Sequence, residues 1–156
     1  MDIILLPYAF IIGICFGSFG NLMAYRLHNN ISIVKPRSSC ISCGITLNFP
    51  ELIPVFGWFI IRGKCKKCKI PVPFHYPLIE CICGLLFTIV TYKVGLSWEL
   101  PFYIAITFTL LIIALTDIKS FDVPDQLVIV GLTAGLVFFL LNPLHWVYLI
   151  YGLIIC

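Results

Sequence analysis

Charge is scarce in this chain. Only 11% of its 156 residues are Asp, Glu, Lys or Arg, while 61% are hydrophobic and mean hydropathy is +1.08. Water-soluble domains carry about 25% charged residues. A soluble enzyme, a disordered segment and a nucleic-acid-binding domain therefore all fit poorly, and no nucleic-acid partner is expected. Acids are scarcer than bases, seven against ten, and none follows Asp125. Polar sequence is also scarce, with one large block at residues 26–77. The remainder is apolar. A membrane-spanning helix takes about 20 residues, so the length holds about four or five spans and one modest water-facing part.

Ile3–Tyr25 contains no Lys, Arg, Asp or Glu and is long enough to cross a bilayer. No basic residue precedes it and the run exceeds a usual signal-peptide core, so it reads as a retained helix. Asp2 stands before it and Arg26 after it, which favours an N-terminus outside. Gly13, Gly17 and Gly20, with Ser18, form a small-residue face suited to close helix packing. Further apolar runs are Leu78–Val94, Pro101–Thr116 and Gln126–Leu141, the last with Gly131 and Gly135 at small-xxx-small spacing. Leu144–Cys156 begins a fifth. Its thirteen residues would span about 20 Å of about 30 Å of hydrocarbon, so the run reads as a helix cut short.

The block at 26–77 holds eight basic residues, Arg26, Lys35, Arg37, Arg62, Lys64, Lys66, Lys67 and Lys69, and one acid, Glu51. The positive-inside rule places it in the cytoplasm. Counting spans returns the loop Asp117–Asp125 to the same side. The expected fold is an all-α polytopic membrane bundle with a cytoplasmic zinc-ribbon-like loop. Its parts are helix 1 at 1–25, a four-cysteine domain at 26–77, and a bundle at 78–156 carrying the acidic loop 117–125.

Within the polar block, Cys40-x-x-Cys43 and Cys65-x-x-Cys68 are separated by 21 residues. Paired CxxC motifs at about this distance read as a four-thiolate zinc site. Gly44 follows the first pair, where a tight turn needs positive φ. Four thiolates leave no open coordination position, so the zinc would be structural. Two disulfides are the main alternative, disfavoured by a reducing cytosol. A thioredoxin-like role lacks its βαβ surroundings. Lys64, Lys66 and Lys67 read first as a solvated positive face beside anionic lipid. Cys15, Cys81, Cys83 and Cys156 lie in apolar runs and read as packed small hydrophobes. His28, His75 and His145 sit at span edges and take no role.

The acidic loop places three of the seven acids within nine residues. Asp122 suits the N-cap of the fourth helix, with Asp125 at N3 and Pro124 in the first turn. Asp117 has no such stabilising position. It falls at a helix C-terminus, where the macrodipole disfavours negative charge, and at the hydrocarbon edge, where ions are costly. Lys119 could neutralise it. Otherwise an acid so placed is a functional candidate. Aspartic-protease chemistry needs two carboxylates, and a true partner for Asp117 is expected beyond Cys156.

The ordered motifs resemble the bacterial type IV prepilin peptidases, a family of aspartic peptidases. They are Gly17-Ser18-Phe19-Gly20-Asn21, Tyr25-Arg26-Leu27, Pro36-Arg37-Ser38, Cys40-x-x-Cys43-Gly44, Ile53-Pro54-Val55 and Trp58. Arg62-Gly63-Lys64-Cys65-x-x-Cys68, Tyr76-Pro77-Leu78-Ile79-Glu80 and Asp117 with Val123-Pro124-Asp125 complete the series. The resemblance implies a multi-pass inner-membrane enzyme serving type IV pili or type II secretion. It would cut the basic leader of prepilins or pseudopilins after a glycine, at the cytoplasmic face. It would then N-methylate the new N-terminus from S-adenosylmethionine. Asp117 matches the first of the family's two catalytic aspartates, and Cys40, Cys43, Cys65 and Cys68 match its metal-binding cysteines. The Gly-x-Gly-Asp motif that carries the second aspartate does not occur in this sequence. The alternative is a catalytically incomplete membrane protein acting as a zinc-ribbon adaptor. A membrane thiol-redox protein is the third reading. The S-adenosylmethionine site is not assigned by any motif, with Gly63 a candidate by position alone.

Overall fold

The structure, a computed structural model, describes residues 3–29, 31, 32, 34, 37–120 and 125–141. Its elements in chain order are α1 (Leu5–His28), a 3₁₀ turn (Phe49–Leu52), α2 (Phe56–Ile60), α3 (His75–Val94), α4 (Leu100–Ser120) and α5 (Asp125–Leu141). The fold is mostly helical. Among the described residues β pairing is confined to two isolated bridges, Ser39 with Thr46 and Lys64 with Pro71. Leu5–Leu27, His75–Val94 and Leu100–Ile118 are long and apolar enough to cross a membrane. Val128–Leu141 is a shorter apolar helix. The fifth expected run, 144–156, lies outside the described residues, as do Asp122 and Pro124 of the expected cap.

α1 continues three residues past Tyr25, the end that hydropathy suggests. Arg26 is buried and donates through Nη1 to the Ser32 carbonyl at 3.0 Å, so its charge does not end the helix. Asn29 ends it instead: its backbone N–H and its Nδ2 both reach the Tyr25 carbonyl, at 3.2 and 2.7 Å. This meets the need of a helix terminus for partners to its last carbonyls. α3 stops at Gly95, whose φ of +70° suits a residue without Cβ.

The tightest packing joins α1 to α3. A Cβ on Gly13 would come within 2.6 Å of the Gly84 Cα, and one on Gly17 within 2.8 Å of the Glu80 Cα. Both helices therefore meet nearly backbone to backbone, the contact that small residues permit in lipid. Gly20 turns instead toward Phe108 and Ile112 of α4. Phe16, Phe87 and Phe108 fill the junction of the three helices, with centroids 5.2 to 6.5 Å apart. On α5, Gly131 approaches Thr109 of α4 while Gly135 faces no described atom, so only half of that small-residue spacing is used.

Candidate functional site

Prolines at 50, 54, 71 and 73 keep the stretch between α1 and α3 from forming long helices. It folds as two matching hairpins, 25 positions apart. In the first, Cys40 N–H bonds the Ile45 carbonyl and Gly44 N–H the Cys40 carbonyl, each at 2.9 Å. In the second, Cys65 N–H bonds the Ile70 carbonyl and Lys69 N–H the Cys65 carbonyl, each at 3.0 Å. Gly44 has φ +68° and Lys69 φ +60°. The first turn uses the expected glycine. The second holds a lysine in a left-handed conformation that L-residues adopt at a cost of about 1 kcal/mol.

The hairpins bring the sulfurs of Cys40, Cys43, Cys65 and Cys68 within 4.8 Å of one another. Cys40 Sγ lies 3.8 Å from Cys68 Sγ, and Cys43 Sγ 3.9 Å from Cys65 Sγ. Zinc–sulfur bonds of about 2.3 Å at tetrahedral angles require edges of about 3.8 Å, so the cluster could hold zinc. Disulfides need about 2.05 Å, and the short approaches run between the two CxxC pairs rather than within them. The electrostatics agree with a cation site. Backbone N–H groups of Cys68 and Lys67 pull the Cys65 thiol down to about 6. Cys68 receives similar help from Ile70 N–H, yet burial and the neighbouring sulfurs of Cys65, Cys43 and Cys40 push it up to about 11. Four such groups cannot all ionise together without a positive charge among them.

Cys15, Cys81 and Cys83 stay in their helices, away from the cluster. Lys66 is not merely a solvated cation: its Nζ pairs with Glu51 Oε1 at 2.8 Å. Glu51 Oε2 also accepts from Asn48 N–H at 2.9 Å, closing a capping box on the 3₁₀ turn. Lys66 and the Asn48 N–H together hold the Glu51 carboxyl below its ordinary value. Gly63, with φ +64°, lies where a Cβ would strike the Trp58 ring at 2.7 Å. Its presence is explained by turn and packing.

A cavity of about 910 Å³ opens between the hairpins and the facing ends of α1 and α3. Cys40 and Cys65 line it, as do Ser18, Asn21 and Glu80, whose importance no motif chemistry had indicated. Asn21 and Glu80 are buried although both belong to apolar helices. Asn21 Nδ2 donates to the Tyr76 carbonyl at 3.2 Å, while its Oδ1 is buried and accepts from no described residue. Glu80 Oε2 accepts the Val55 N–H, at 2.5 Å. Val55 has φ +63° and ψ −58°, and Phe56 N–H bonds the Pro54 carbonyl across it at 2.6 Å. This is the positive-φ γ-turn, rare and strained, here at a β-branched residue.

Asp117 sits in the last turn of α4, exposed, and does not line this cavity. Asp125 opens α5, and the Lys119 side chain lies outside the described residues.

Residues 11–94 match the family profile described as Bacterial Peptidase A24 N-terminal domain. The chain is 34% identical over 129 residues to a protein of Myxococcus xanthus named Prepilin leader peptidase/N-methyltransferase, covering 83% of this chain and 38% of that one. A Bacillus subtilis protein of the same name is 36% identical over 125 residues, covering 80% and 50%. Another, from Pseudomonas putida, is 30% identical over 151 residues, covering 83% and 52%. The chain thus spans about half the length of these relatives, or less. No solved structure matches it.

Proposed function

The chain belongs to the bacterial A24 peptidase N-terminal family, and from that premise we propose that it works as a prepilin leader peptidase and N-methyltransferase. The observation that carries the reading is the shared name of relatives 30 to 36% identical over about four-fifths of this chain. The three apolar helices and the four-thiolate cluster support it, because such a reaction brings an apolar substrate helix to a folded water-facing domain. We place the protein in the inner membrane, with the basic cysteine domain and the acidic loop on the cytoplasmic side. Cys40, Cys43, Cys65 and Cys68 would hold a structural zinc ion.

In the peptidase half, Asp117 would be one of two carboxylates that share a proton. The ionised member takes a proton from water while the protonated member polarises the scissile carbonyl. The bond broken follows a glycine at the end of a short basic leader. In the methyltransferase half, S-adenosylmethionine would supply an electrophilic methyl group. The new N-terminal amine donates its lone pair to that carbon, the sulfur recovers the C–S pair, and the nitrogen sheds one proton.

Cleavage of a prepilin in membranes carrying the gene product tests this. Asp117→Asn is expected to lower the cleavage rate roughly 10²–10⁴-fold while methylation of a pre-cleaved substrate continues. Undiminished cleavage would remove Asp117 from the mechanism. A zinc-ribbon adaptor remains a second reading, favoured by the exposure of Asp117 away from the cavity. Membranes of the parent protein that neither cut nor methylate would remove the enzyme reading.

A further inference from the structure

We propose that the cavity between the cysteine hairpins and the α1–α3 pair is the site of the methyl donor, with Asn21 and Glu80 binding the ammonium of its amino-acid end. The proposal rests on the methyltransferase reading above and gives it a location.

The volume, about 910 Å³, lies in the range of small-molecule pockets, roughly 300–1,000 Å³. Asn21 is 3% exposed, yet its Oδ1 accepts no hydrogen bond from a described residue. A buried carbonyl left so loses about 1–3 kcal/mol, so a donor belongs there. Glu80 is 8% exposed and lies on the wall of the same cavity. Ser18 lines that cavity too, and the Val55 N–H bonds the Glu80 carboxylate. The Val55 N–H reaches it from a strained turn, the kind of backbone that persists at binding and catalytic sites. An acceptor without a donor and an oriented carboxylate, both lining one cavity, are complementary to an ammonium group.

The rest of the wall fits a larger zwitterion. Arg26 and Lys66 line the cavity too, so a ligand carrying a carboxylate as well as an ammonium meets both signs of charge. Tyr25, Trp58 and Tyr76 add aromatic surface, which a purine would cover. Because Cys40 and Cys65 also line the space, metal at the hairpins would fix one wall of the site.

Calorimetric binding of two probes to the purified, zinc-loaded protein tests the assignment. S-adenosylhomocysteine carries the amino-acid end, and 5′-methylthioadenosine lacks it. Asn21→Leu and Glu80→Gln are each expected to weaken S-adenosylhomocysteine at least about tenfold, the size of one lost charge-assisted bond. Both should leave 5′-methylthioadenosine unchanged. Glu80→Gln keeps an acceptor for the Val55 N–H, so it reports even where Asn21→Leu does not fold. S-adenosylhomocysteine affinity at the parent level in Glu80→Gln, or an equal loss for both probes, overturns the assignment and leaves the methyltransferase reading intact. A parent protein that binds neither probe and does not methylate ends both.

Discussion

The helix pair and the cysteine segment are stabilised in opposite ways. α3 alone buries Pro77, Ile79, Glu80, Cys83, Gly84, Phe87 and Thr91, and α1 brings Gly13 and Gly17 against that face. Between residues 38 and 73 only Gly57, Gly63 and Cys65 are buried. Phe49, Phe56, Phe59 and Ile41 all remain exposed there. A segment with so little core would gain its folding energy from a metal held by its sulfurs, whereas the helices store theirs in mutual packing.

The sharpest way to break this contrast is to deny the four sulfurs a metal. Chelation, or Cys65→Ser, is expected to withdraw a contribution of about 10 kcal/mol or more from the hairpins. Limited proteolysis should then cut within 38–73 while circular dichroism retains the helices. Hairpins that stay protease-resistant without metal would mean that they have a core of their own.

The reverse perturbation is Gly17→Leu, which drives a side chain against the Glu80 backbone. A loss of about 1–3 kcal/mol is expected in the unfolding of the helices, with zinc content unchanged. Lost zinc with unchanged helix stability would reverse the comparison.

The smallest effect concerns Glu51. Its folded-state value lies below the ordinary 4.5, so its contribution is complete above about pH 4.5 and fades as pH falls through the folded value. The partner Lys66 is half exposed, so Glu51→Gln should cost only about 0.5–1 kcal/mol at neutral pH. The gap between the variant and the parent should close in acid. A gap that persists at pH 3 would show that the loss does not come from the Glu51 charge.

Much of this organisation was legible in the sequence. Hydropathy located α1, α3 and α4 because lipid-facing helices must be apolar throughout. The two CxxC pairs located the cluster because thiolate geometry allows few spacings. The second turn was harder to read, since Lys69 stands where the first hairpin has Gly44, and only the repeat of hydrogen bonds reveals the match. Asn21 and Glu80 were visible as motif letters with no assignable chemistry. Their role depends on which face of α1 meets α3, and in a helix apolar on all sides the polar pattern does not show that. The end of α1 was missed for a related reason: a buried arginine satisfied by the Ser32 carbonyl gives no hydropathy signal distinct from a solvated one. Asp117 was legible as an oddly placed acid, and the described residues add its exposure.

α1 ends at His28 and α3 begins at His75, so the whole cysteine segment is a detour between two helices that touch. Closing such a detour has an entropic cost that grows only as the logarithm of its length, about 0.6 kcal/mol per doubling. A metal tying Cys40 to Cys68 would shorten the free path by little more than one halving. The clip therefore does almost nothing for the meeting of α1 and α3. During synthesis the two helices can pair as soon as α3 emerges, whether or not metal has arrived, and the hairpins can mature afterwards over a membrane anchor already in place.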